Sequence, residues 1–135
     1  MSNDTAQSAE QWLAKANEDW EAVQILSAHP NPPRSLVCFH CQQYVEKLLK
    51  ALLTLNGIEA PRTHNLRRLI QLTERFAPRL ALLIDFADAL SAHGVQSRYP
   101  DESYVVDNTE MRRMTEVSQE FADALLPVLK EIPNK

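Results

Sequence analysis

Two glycines, Gly57 and Gly94, are all that this 135-residue chain contains. That scarcity constrains the fold more than any other feature. A β-sandwich or barrel places glycine at many of its turns. A Rossmann-type or P-loop site places it beneath a phosphate, where a side chain would block the approach. Neither architecture fits. A chain of this length buries roughly 70% of its unfolded surface as one domain. A single unit over 1–135, with a core about 9–130, is therefore expected. No apolar run approaches the roughly 18–20 residues that span a bilayer, so no membrane segment is expected. The opening Met1-Ser-Asn-Asp-Thr has neither the basic nor the apolar part of a signal peptide, and a cytoplasmic setting with reduced thiols follows as an expectation.

The hydrophobic spacing is helical. Trp12, Ala16, Trp20 and Val23 lie at steps of four, four and three, one face of a helix. Ser8 and Gln11 read as a capping box for it, and His29-Pro-Asn-Pro-Pro should end it. A second helix runs from near Arg34 to Asn56-Gly57, a left-handed stop. Its stripe Val37, Cys41, Tyr44, Leu48, Leu52, Leu55 is flanked by Val45, Leu49 and Leu53. So broad an apolar arc implies a central helix, or one that also faces a second subunit. Thr63 can cap a third helix through Phe76. Pro78 suits the first turn of a fourth, ending at His93-Gly94. Asp107 and Glu110 form a capping box for the last helix, which Pro127 should kink or end. The sum is an all-α, up-and-down bundle of four or five helices.

Net charge is −4, but it is sorted along the chain. Residues 1–33 carry −4, residues 34–79 carry +5 and residues 80–135 carry −5. An acidic balance argues against a bulk nucleic-acid binder, while the basic middle can form a local anion site. There, Arg62, Arg67, Arg68, Arg75 and Arg79 face one acid, Glu74. They are either a solvated face or a surface for phosphate or a partner. Cys38-Phe-His-Cys41 resembles a metal or redox motif in spacing alone. It lies inside a helix with no second Cys pair, so two packed thiols and no metal are expected. A di-metal carboxylate centre needs Glu-x-x-His pairs, and the chain has none. Gln42, Gln43, Glu46, Lys47 and Lys50 form a polar face on the second helix, either simple surface stabilisation or a groove. Residues 95–107 lack helical period and hold Arg98, Tyr99, Asp101 and Tyr104. A connector of that length either caps the bundle or carries function.

Four motifs in order then resemble one family. They are the Trp12–Trp20 helix, Gln42-Gln-x-x-Glu-Lys-x-x-Lys-Ala51, Thr63-His-Asn-Leu66 and Arg98-Tyr-Pro-Asp101. Together they resemble the HEPN domain (higher eukaryotes and prokaryotes nucleotide-binding). The resemblance implies a four- or five-helix bundle that commonly forms homodimers. It also implies, for free-standing prokaryotic members, a minimal nucleotidyltransferase encoded alongside, often as a toxin–antitoxin pair. Many members are metal-independent ribonucleases with an Arg, four to six residues, then His, two copies meeting across the dimer.

This chain departs from that motif, for no His follows His93. Moving the 2′-hydroxyl proton needs a group titrating near neutrality, and Arg98 alone is a poor base. The Arg-Tyr-Pro-Asp form resembles the non-nuclease branch. The reading is a non-catalytic module, a homodimer binding nucleotide (ATP- or GTP-like) or RNA, a minimal nucleotidyltransferase, or both, with no cofactor. Arg98, Tyr99, Asp101, Tyr104, His64, Arg67, Gln43 and Lys47 are its expected binding residues. The alternatives are a ribonuclease toxin with an altered site and a plain helical interaction module.

Overall fold

The computed structural model describes residues 3–96, 99–100 and 103–130. Among these residues five α-helices form a bundle: α1 (Asn3–Ser27), α2 (Arg34–Leu55), α3 (Leu66–Thr73), α4 (Ile84–Gln96) and α5 (Asn108–Leu129), with a 3-10 turn at Pro78–Leu83 before α4. No strand occurs among the described residues. The all-α bundle expected from the spacing is what the chain forms.

The central helix is α2. Val37, Cys38, Cys41, Val45, Leu48, Leu49, Leu52 and Leu53 are all fully buried within one chain. α1, α3, α4 and α5 each pack against α2, and α1 makes no comparable contact with any other helix. Of the two readings of the broad α2 arc, the packing bears out the central helix, and Leu36 is the one large apolar side chain of α2 that stays exposed. The same burial reaches the supposed polar face, where Gln42, Gln43, Glu46 and Lys50 are buried too. α2 closes at Gly57, whose φ of +76° lets the Ile58 and Gly57 amides donate to Leu53 and Thr54 carbonyls, each at 3.0 Å.

Several boundaries differ from the sequence reading, each for a local reason. α1 begins five residues before Ser8, because Ala6 and Ala9 extend its buried face. Asn65, not Thr63, caps α3, accepting from the Arg68 amide at 3.2 Å. Thr63 instead accepts from the Asn65 amide at 3.1 Å. α3 stops at Thr73, short of Phe76, where the Thr73 hydroxyl returns to the Leu69 carbonyl at 2.8 Å. Asp107 does cap α5, accepting from the Glu110 amide at 2.8 Å.

Gly94 does not end α4; it lies inside it. A Cβ there would sit 2.6 Å from the Gln42 side chain, so glycine marks where α4 crosses α2 most closely. Pro127 does not end α5 either. Proline has no N–H to give the carbonyl four residues back. That carbonyl, of Asp123, takes the Arg79 guanidinium at 3.3 Å instead.

Candidate functional site

Two carboxylates organise the polar interior. Asp19 on α1 accepts from His40 Nδ1 at 2.8 Å and from Lys47 Nζ at 2.5 Å, both on α2. Glu46 on α2 accepts from His64 Nδ1 at 2.8 Å, Gln42 Nε2 at 3.0 Å and Lys50 Nζ at 3.1 Å. Lys50 also lies 5.4 Å above the Trp12 ring, which ties the second cluster to α1 as well. Gln42 is fixed further by donating to the His64 carbonyl at 3.3 Å and accepting from Gln43 Nε2 at 2.7 Å.

The His64 pair has a chemical consequence. With Nδ1 held by Glu46, His64 turns its other ring nitrogen, Nε2, away from that carboxylate. Half of that side chain is exposed. It lines an open groove with Asn65, Asp88, Ser91, Ala92 and Val95, between the start of α3 and the second half of α4. The Ser91 hydroxyl accepts from the Leu66 amide at 3.0 Å and holds the two walls together.

The end of the bundle where α4 stops and α5 begins holds a third imidazole. His93 Nδ1 lies 2.7 Å from the Tyr104 hydroxyl, and Nε2 lies 4.0 Å from Glu110. Burial lowers the His93 pKa, with Glu110 acting in the opposite sense. Burial pushes the Tyr104 hydroxyl up to about 12, helped by Cys38 and Glu110. Neutral His93 and un-ionised Tyr104 therefore share this hydrogen bond. Burial also pushes the Cys38 thiol up to about 12, with smaller contributions from Cys41 and Glu110. Cys41 is raised chiefly by burial. Neither thiol is an activated nucleophile at neutral pH. Among the described residues no three His, Cys, Asp or Glu side chains converge as a metal-ligand set.

The expected binding residues divide four ways. His64 and Arg67 meet at the α3–α4 groove, where Arg67 Nη2 pairs with Asp88 at 3.1 Å. Tyr99, two-thirds exposed, and Tyr104 lie at the neighbouring end of the bundle, past Val95. Gln43 and Lys47 turn elsewhere, Gln43 onto Gln42 and Lys47 onto Asp19. Arg98 and Asp101 lie outside the described residues. Asp19, His40, His93 and Glu110 carry contacts that the sequence reading did not single out. Their partners lie far along the chain, as with Asp19 and His40, so no short motif announces them.

A bundle wound round one helix, with paired internal charges and an irregular stretch over residues 103–107 before its last helix, defines a class of small helical domains. The chain belongs to the HEPN domain family, whose model matches residues 9–132. A Methanocaldococcus jannaschii protein named "Putative toxin MJ1304" is 32% identical over 99 residues, covering 69% of this chain and 64% of that protein. The chain thus spans just under two thirds of that relative's length. No solved structure matches the chain significantly. No helix among the described residues is long and apolar enough to cross a membrane.

Proposed function

We propose that this chain is a non-catalytic HEPN module that acts as a homodimer and binds a nucleotide, a minimal nucleotidyltransferase partner, or both. The carrying observation is the segment from Arg98 to Asp107. It contains no histidine, and its Tyr104 hydroxyl is un-ionised and committed to His93. Such a segment offers hydrogen-bond donors and a guanidinium to a phosphate, but no imidazole to move a proton near neutral pH.

The dimer reading rests on the family and on exposed apolar side chains at that end. Leu36 on the first turn of α2, Val95 on the last turn of α4, Tyr99 and Val105 are all open to solvent. The relative's name supports a second reading, a component of a toxin–antitoxin pair whose site has been altered.

One set of measurements tests these. Purified protein incubated with labelled RNA in chelator should cleave nothing above background. Light scattering should give twice the 15.4 kDa chain mass. Equilibrium dialysis with ATP, and co-elution with a co-expressed minimal nucleotidyltransferase, should each be weakened about tenfold or more by Arg98→Ala. RNA cleavage that Arg98→Ala abolishes would establish the toxin reading instead.

A further inference from the structure

At the other end of α4 the surface has a different character. The 3-10 turn exposes Ala81 and leaves Leu82 80% exposed, the highest value of any large apolar side chain among the described residues. Leu83 is half-buried beside it. Between this turn and α5 lies a cavity of about 210 Å³ lined by Arg79, Leu82, Leu83, Glu120 and Asp123. The α5 wall is one-sided in charge. Glu116, Glu120 and Asp123 recur at steps of four and three, so they share one helix face. All three are exposed, and none takes part in an ion pair among the described residues. Arg79 marks the boundary of the patch, with its guanidinium drawn to the Asp123 carbonyl.

We infer that this groove docks a basic amphipathic helix of a partner protein. An apolar face of that helix covers Leu82 and enters the cavity, and its lysines or arginines face Glu116 and Glu120. The argument is complementarity. Water-facing leucines beside a cleft are covered by apolar anchors at helical spacing. Three carboxylates in one row, none in an ion pair among the described residues, attract a row of cations at the same pitch and repel an acidic helix. A second copy of this chain is disfavoured here, because a copy meeting this patch with itself would oppose carboxylate to carboxylate. The surface lies away from the Tyr104 end and from the His64 groove, so the inference stands or falls independently of the proposed function.

The test uses the full chain and three labelled synthetic helices read by fluorescence anisotropy. One has leucines on one face and lysines on the other. In the second the lysines are replaced by glutamates, and in the third the leucines by serines. The Leu/Lys helix should bind, and the other two should bind at least tenfold more weakly. Leu82→Asn should weaken the Leu/Lys helix roughly tenfold, the loss expected on leaving one leucine uncovered. Glu120→Lys combined with Asp123→Lys should do the same or more. Glu18→Lys combined with Glu21→Lys, the same change of charge on the exposed face of α1, should change little. Circular dichroism checks that each variant stays helical. Absence of binding, binding indifferent to Leu82→Asn, or an equal loss in the α1 double variant would overturn the inference. The last would mean attraction to net charge alone.

Discussion

Asp19 and Glu46 each hold one imidazole and one lysine, but their access to water differs. The Asp19 carboxylate is joined by His40 and Lys47 side chains that are each about a quarter exposed. Glu46 and Lys50 are almost sealed, and only His64 reaches out. The first cluster is a clip between two helices, wet on one side. The second is an internal strut within α2 that carries one half-exposed imidazole. The same ion pair is therefore replaceable in the first cluster and not in the second. Water can take over the contacts of Asp19 in part. Nothing but protein can satisfy the Lys50 ammonium once Glu46 is gone.

That contrast orders the expected losses. Glu46→Leu should cost about 3–5 kcal/mol, because it strands a buried cation. Lys50→Met in the same chain should restore most of it. Denaturant unfolding of the wild type and the two variants measures both, and a loss below about 1 kcal/mol would place Glu46 with Asp19. Gly94→Ala should cost about 1–3 kcal/mol, since the new Cβ must push the Gln42 amide off Glu46. The cost should shrink when Gln42→Ala is present, and a double-mutant cycle reads the coupling. Two additive changes would disconnect Gly94 from the cluster.

Asp19→Asn should cost only about 1 kcal/mol. Raising the salt should lower wild-type stability towards the variant's, because the cluster is partly screened. The smallest effect concerns the imidazole that a hydroxyl holds. Burial lowers the His93 pKa in the folded chain below its ordinary 6.5. Its contribution is therefore complete above the unfolded value and is lost as pH falls through the folded one. Thermal unfolding between pH 7.5 and 5 should show the acid loss in wild type and a flatter profile in His93→Gln. An unchanged profile would mean that other groups carry the acid sensitivity.

The bundle was legible because period and punctuation agreed along the chain. Pro30 to Pro33 separated two helices, Gly57 closed one and Asp107 opened another, all by backbone rules that need no tertiary partner. The polar strip of α2 was legible only as residues. Glu46 and Lys50 announced their pairing by spacing. Their burial did not show, because it depends on where α1 and the connector before α3 come to rest. Gly94 and Pro127 misled for one reason. Gly94 reads locally as a stop and Pro127 as a kink or a stop, and each is explained by a neighbour, Gln42 in one case and Arg79 in the other.

α2 as the common wall of four helices also bears on the order in which the chain can come apart. No half of this molecule keeps a core without it. Loosening α1 opens one interface, whereas loosening α2 opens all of them at once. Amide protons along the middle of α2 thus exchange with solvent only when the whole chain unfolds, while those of α1 have a cheaper route through its separate release. The helix that holds the most buried charge is also the one whose hydrogen bonds open last.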